Sequence, residues 1–297
     1  MACFSPLTAW QLESGEVVFA ERGKVRRELT LPCGQCVGCR LERSRQWAVW
    51  CMHEASLHEA NAFITLTYSP ENLPADGSLH YEHFQLFMKR LRKRVGCPVR
   101  FYMCGEYGER NWRPHFHACI FGYSFPDKVL FKRGATPNLS LYTSGVLSSI
   151  WTDGFASVGQ LSFDSAAYVA RYVMKKVTGN AAQCHYAKLD LATGEIRTLV
   201  PEFNRMSLRP GIGADWFFKY HSEVYPRDGV VVNGVLAKPP RYYDKLLTEY
   251  RPATAEFVEL LRYRASMEVS ADNTAERLRV REAVTRARLS FKQRSLE

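Results

Sequence analysis

At 297 residues, 46% hydrophobic and 24% charged, the chain has a globular composition with room for a sizeable core, which excludes wholesale disorder, collagen and coiled coil. No apolar run approaches the ~18–20 residues of a membrane span, and the start MACFSPLTAWQLESGE lacks the basic-then-apolar pattern of a secretory signal. Forty Lys and Arg against thirty Asp and Glu leave a net charge of +10, which favours a polyanionic partner because each cation set on a phosphate releases a condensed counterion.

Residues 1–60 read as a cysteine- and arginine-bearing extension. Nine cysteines, an odd number without an export signal, argue for reduced thiols rather than a disulfide framework. Cys33, Cys36 and Cys39 sit at knuckle-like spacing in PCGQCVGCR. Cys3 is the candidate fourth thiolate of a structural Zn²⁺ site, with Cys51 and His53 as alternatives. Cys97, Cys104, Cys119 and Cys184 read as small packing residues, and His80, His83, His185 and His221 as surface or capping groups.

LERSRQWAVWCMHEASLHEA predicts a helix, and NAFITLTY (61–68), rich in β-branched and aromatic residues, a strand. In YEHFQLFMKRLRKRV, Phe84, Phe87, Met88, Leu91 and Val95 recur at helical spacing, while cations fill the other face. Lys89, Arg90 and Lys93 there are candidate phosphate contacts. VRFYMCGEY and PHFHACIF flank the polar turn GERNWR and suit an antiparallel pair. Residues 123–142 read as an irregular insertion, TSGVLSSIW as a short helix and GFASVGQLSF as a strand. DSAAYVARYVMKKVTG predicts a helix capped by Asp164 or Ser165 and stopped by Gly179. A mixed region with RPGIG and KPPR turns follows, then a charged helical stretch from about Pro252 to an arginine-rich tail.

The βαββαβ order predicts an α+β, ferredoxin-like split antiparallel sheet with helices on one face and the trailing helix lying across it. Residues 61–180 form that expected core, flanked by a cysteine-rich N-terminal extension, 1–60, and a C-terminal extension with a basic helical tail, 181–297.

Side chains alternate faces along a strand, so His115 and His117 point the same way and Phe116 the other. An antiparallel return brings Glu106 beside them. Two imidazoles and one carboxylate leave coordination positions open and suit Mg²⁺ or Mn²⁺ holding a phosphate oxygen. Glu109 competes as third ligand, and Arg110 and Arg113 are placed to steady the phosphate. On the helix from Asp164, residues ~100° apart bring Tyr168, Arg171, Tyr172 and Lys175 within roughly a third of the circumference. A phenol with a pKa near ~10 is a weak nucleophile. A neighbouring cation helps it, and Lys176 can stand in for Lys175. Water attacking in its place would simply cut the strand, whereas tyrosine keeps the linkage as a protein–DNA bond. A second tyrosine one turn away allows strand transfer.

FITLTY, RPHFH and YVARYVMKK resemble the three motifs of rolling-circle initiators, the HUH endonucleases, and the paired tyrosines resemble their two-tyrosine branch. CGQCVGCRLERSR, GSLHYEHFQLFMKRLRK, CGEYGERNWRPHFH and MSLRPGIG resemble the replication initiators of gokushoviruses, a branch of the microviruses, from about Cys33 to about Tyr243. The resemblance implies an HUH fold with His115 and His117 as metal ligands, Glu106 as the acidic ligand, Tyr168 and Tyr172 as alternating nucleophiles and Lys175 as the following lysine. It implies a phage-encoded, Mg²⁺- or Mn²⁺-dependent nickase and strand transferase. Such an enzyme acts on single-stranded or melted origin DNA in the bacterial host's cytoplasm, beside the host's replication helicase and polymerase and away from membranes. An HUH relaxase or transposase shares this chemistry. A zinc-stabilised, non-enzymatic DNA-binding regulator is the rival in which the histidines are structural. Thr65 and Thr67 either line the DNA groove or merely finish a strand, and Trp112 either stacks on a base or packs.

Overall fold

The computed structural model describes residues 3–291 apart from 109–110, 135–138, 173–175, 178, 190–193 and 233, and for Arg171 and Tyr172 the backbone alone. Its contacts divide the chain into two compact units, one of residues 1–45 and 247–297, the other of residues 46–246. The chain opens with a three-stranded antiparallel sheet, β1 (Leu7–Leu12), β2 (Val17–Val18) and β3 (Val25–Leu31), in the order β2-β1-β3. The sequence reading passes over these strands because VRRELTL is almost wholly exposed and shows no apolar alternation. Helix α1 (Val37–Ala55) begins inside the cysteine motif, where the Cys36 carbonyl accepts the N–H of Arg40.

The second unit is organised by β4 (Asn61–Thr67), α2 (Tyr81–Val95), β5 (Arg100–Tyr107) and β6 (Pro114–Phe121). A hairpin, β7 (Val129–Lys132) and β8 (Leu141–Thr143), precedes α3 (Gly145–Ile150), β9 (Ala156–Gly159) and α4 (Phe163–Tyr172). In the seven-stranded sheet the inner strands run β5-β6-β4-β9, each neighbouring pair antiparallel. This is the split βαββαβ arrangement expected from the element order. Two of its details differ from expectation. Residues 123–142 are not wholly irregular: β7 and β8 pair, and Tyr142 lies opposite Val158 to widen the sheet. Their apolar residues sit at an exposed edge, so no buried face marked them in sequence. Helix α4 is capped one turn earlier than predicted, by reciprocal bonds in which Ser165 N–H donates to Ser162 Oγ and Ser162 N–H to Ser165 Oγ.

The sheet carries a helical layer on each face. Ile64, Leu66, Met103, Phe116 and Ile120 pack against Phe84, Phe87, Met88 and Leu91 of α2 and Leu147 and Ile150 of α3. Helix α2 ends at Gly96, in the left-handed conformation (φ 68°), whose N–H bonds the Arg92 carbonyl. Each large apolar side chain it buries contributes about 1.5–3 kcal/mol. On the opposite face Phe63, Tyr102, Cys104, Cys119 and Phe121 meet Ala48 and Cys51 of α1 and Ala166, Val169 and Ala170 of α4. Helix α4 thus lies across the sheet as expected, and α1 joins it on that face. Buried Glu54 of α1 accepts a hydrogen bond from Arg100 of β5 and another, 2.8 Å long, from the N–H of Gly213. Cys104 and Cys119 do pack in this core, but Cys97 and Cys184 are exposed, contrary to the packing role expected of them.

Beyond α4 come α5 (Ala181–Tyr186), a small hairpin of β10 (Ala187–Leu189) and β11 (Ile196–Thr198), and β12 (Phe203–Met206), which pairs with β5. Helix α6 (Ala214–Val224), the β13 (Val230–Val232) and β14 (Val235–Ala237) hairpin, and α7 (Arg241–Tyr250) complete this region. The predicted C-terminal helical stretch is α8 (Pro252–Glu268) and α9 (Ala275–Ser290), the latter capped by the Thr274 hydroxyl. Among the described residues no helix is long and apolar enough to cross a membrane.

Candidate active site

The β5–β6 register sets Glu106 opposite His115 and Cys104 opposite His117, and β4 places Thr65 opposite His117 on the other side. Strand alternation turns Glu106, His115 and His117 toward the sheet face that carries α4, and sends Phe116 into the core beneath α2. Gly105 is required by this packing: a Cβ there would stand 3.1 Å from the side chains of Leu79 and Phe203.

The three ligand-type side chains converge. His115 Nε2 lies 2.7 Å, and His117 Nε2 3.0 Å, from the same oxygen, Glu106 Oε1. His115 Nδ1 lies 3.1 Å from the Arg113 carbonyl oxygen, which only accepts, so Nδ1 carries a proton and donates it there. That leaves Nε2 facing a carboxylate oxygen, a pairing that needs a cation between them, either a second proton or a metal ion. His117 Nδ1 is held at 2.8 Å by the Thr65 hydroxyl, which fixes its Nε2 toward Glu106. The first sequence motif thereby acquires its role: Thr65 orients a ligand. No periodicity marks it, because the contact depends on cross-strand register.

Glu106 is buried, and among the described residues its Oε2 has no hydrogen-bond partner. A buried carboxylate oxygen without a partner costs of order 1–3 kcal/mol, or more when charged, and a divalent cation bound by Glu106, His115 and His117 satisfies it. Burial pushes the Glu106 carboxyl up, but hydrogen bonds from His115 and His117 outweigh it and hold the group below the usual carboxylate range. The side chain of His115 is 15% exposed, against 8% for His117 and 3% for Glu106, so the cluster opens on the His115 side.

Helix α4 brings its phenol face to the same place. The Tyr168 ring stands edge-on to His117, with centroids 5.1 Å apart, and edge-on to Phe63 at 6.4 Å. The Tyr172 and Arg171 backbones continue that helix, and their side chains, like Lys175, Glu109 and Arg110, lie outside the described residues. Lys176 is exposed. Arg113 donates to the Tyr68 carbonyl at 2.9 Å, bracing the turn before His115. Trp112 (φ 49°) packs tilted against Tyr107 and His185, and Lys188 Nζ sits 3.4 Å above its ring. Lys89, Arg90 and Lys93 are exposed on α2, the layer on the other face of the sheet.

A second convergence is sulfur only: Cys3, Cys33, Cys36 and Cys39 bring their Sγ atoms within 4.8 Å of one another. The alternative ligands are engaged elsewhere, Cys51 in the core beside Cys119 and His53 stacked on Trp216. Both groups have the donor sets to hold a metal, hard nitrogen and oxygen in one and soft thiolate in the other. Two of the histidines expected at the surface have partners of their own: His80 pairs with Asp76 at 3.0 Å and His83 with the Tyr68 hydroxyl at 2.8 Å.

Residues 61–177 match the family model of replication-associated protein ORF2. The replication-associated protein VP4 of Bdellovibrio phage phiMH2K is 31% identical over 289 residues, covering 93% of this chain and 85% of that protein. Replication-associated protein ORF2 of Spiroplasma virus 4 is 32% identical, covering 82% of this chain and 80% of its own. Replication-associated protein ORF4 of Chlamydia phage 1 is 32% identical over 76% of this chain and 56% of its own. No solved structure matches the chain significantly. Identity at this level along almost the whole length, joined to the motifs assembled on one sheet face, shows that the chain belongs to the family of gokushovirus (microvirus) replication-associated proteins.

Proposed function

We propose that the chain is a rolling-circle replication initiator that nicks one strand of origin DNA by tyrosine transesterification. The observation that carries this reading is the placement of the Tyr168 ring 5.1 Å from the His117 ring, on the face where Glu106, His115 and His117 converge. Mg²⁺ or Mn²⁺, when bound by these three residues, supplies charge neutralisation to a phosphate oxygen and makes its phosphorus easier to attack. The chain's own residues do the rest. Thr65 and the Arg113 carbonyl fix the two imidazoles, so the ligands meet the phosphate without reorganising. Tyr168 or Tyr172 attacks phosphorus through its phenol oxygen. The new P–O bond forms as the bond to the 3′-oxygen breaks; the phenol gives up its proton and the leaving oxygen takes one up. Lys175, with Lys176 as its alternative, supplies the cation that favours phenolate.

The products are a 5′-phosphotyrosine link and a free 3′-hydroxyl. That hydroxyl primes a polymerase, and unwinding the parental duplex calls for a helicase; those of the host, in its cytoplasm, are the proposed partners. Attack by the second tyrosine on the regenerated junction releases the displaced strand and lets it close into a single-stranded circle. Arg110, Arg113 and Arg171 border the reacting phosphate in this reading, and Lys89, Arg90 and Lys93 of α2 contact flanking DNA.

The test uses the purified full chain and end-labelled single-stranded origin DNA. A denaturation-resistant adduct should form with Mg²⁺ or Mn²⁺ and not with EDTA. Changing Tyr168→Phe and Tyr172→Phe together should abolish it. Adduct formation that survives the double change would overturn the assignment.

A further inference from the structure

The cysteine quartet lies outside the unit that holds the candidate active site. Cys3 Sγ stands 3.7 Å from Cys33 Sγ and 3.9 Å from Cys36 Sγ. Ligands at the corners of a tetrahedron with metal–sulfur bonds of ~2.3 Å are ~3.8 Å apart, so this is the spacing of thiolates around one ion. A disulfide would bring two sulfurs to ~2.05 Å, and these four cysteines are free. In an iron–sulfur cluster each sulfur ligates a different iron, which spreads the ligands further.

The backbone is arranged for charged sulfur. The N–H of Phe4 donates to Cys36 Sγ at 3.2 Å, that of Cys33 to Cys3 Sγ at 3.3 Å, and those of Gln35 and Cys36 to Cys33 Sγ at 3.4 and 3.3 Å. Such bonds strengthen when the acceptor is ionised. Gly34, with φ 75°, makes the turn that aims them, a conformation L side chains rarely adopt. The surroundings also lack another source of stability. Up to Arg45, the buried hydrophobic side chains among the described residues are only Cys3, Ala9 and Val18, and a sheet with so little core needs a staple.

We propose that Cys3, Cys33, Cys36 and Cys39 hold one Zn²⁺ as a closed structural site that clamps the chain's start onto the junction between β3 and α1. Four thiolates leave no open position, so the site shapes the fold and performs no chemistry. The soft donor set keeps it distinct from the nitrogen and oxygen ligands of the candidate active site.

Elemental analysis of the full chain, purified after expression in zinc-supplemented medium and washed with EDTA, should find one zinc per chain and no iron. A thiol-specific mercurial should release that zinc from the unaltered protein, read with a chromophoric chelator. Cobalt substitution should give the intense visible bands of tetrahedral thiolate coordination. Changing Cys36→Ser and Cys39→Ser together should lose the zinc, while His115→Ala keeps it. Zinc that is absent, that survives the double cysteine change or that fails to leave with mercurial would overturn the proposal, as would iron in its place. Should the double variant be insoluble, mercurial release decides alone. None of these readings depends on nicking.

Discussion

The catalytic reading turns on how firmly each ligand is aimed, and Thr65 is where that can be measured. Its hydroxyl is 2.8 Å from His117 Nδ1, and outer partners of this kind typically govern metal affinity or activity by 10–100-fold. Thr65→Val, which keeps the β-branched shape in β4, should lower Mn²⁺ affinity by about that factor, read by electron paramagnetic resonance of free Mn²⁺. Thr65→Ser should restore most of it. Unchanged affinity in the valine variant would show that Phe63, stacked on the other side of the imidazole at 5.7 Å, orients His117 unaided. At this scale the sequence was unevenly legible. His115, His117 and Glu106 could be read because strand alternation and a short turn fix their relation. Thr65 could not, since its partner lies 52 residues away and only the β4–β6 register joins them.

Elements were most legible where burial is one-sided and continuous. Helix α2 has the bounds its periodicity predicts, because Phe84, Phe87, Met88 and Leu91 all enter one core and Gly96 stops the chain. The β7–β8 hairpin and the N-terminal sheet escaped because their exposed faces carry no binary pattern. The same one-sidedness sets the solvent face of α2 apart as a surface for DNA. Lys89 and Lys93 are exposed one turn apart, whereas Arg90 also reaches toward the Ile150 carbonyl at 3.4 Å. If both lysines neutralise phosphates, Lys89→Ala with Lys93→Ala should flatten the slope of log affinity against log salt for duplex-flanked origin DNA by about 2. Adduct yield at saturating DNA should not change. A slope equal to that of the unaltered chain would remove α2 from the DNA interface.

Over the whole molecule, reading the chain from left to right is blind to non-local association. The first and last segments group in one compact unit although some 200 residues separate them, and no local pattern announces such a pairing. Long-range burial also sets the acid sensitivity of the second unit. His53 of α1 is stacked on Trp216 at 3.5 Å and joined to the Tyr243 hydroxyl at 2.9 Å, contacts made with chain far along the sequence. Burial drives its pKa down from 6.5 to about 4. The native state therefore holds His53 neutral where the unfolded chain binds a proton. Its contribution is fully present above pH 6.5 and is lost progressively as the pH falls toward 4, by up to about 3 kcal/mol. The buried Glu106 and the surface Asp76 and Asp127, whose carboxyls are held below their ordinary values of 4.5 and 3.8, add their losses only at and below that lower range. Urea midpoints measured at pH 7.5 and pH 5 should accordingly fall on acidification in the unaltered chain. His53→Gln should show a smaller drop between the same two values, whatever its stability at pH 7.5. An equal drop in both proteins would mean that His53 does not carry the acid response, and the interval from pH 6.5 to 5 would then have to be assigned to another histidine.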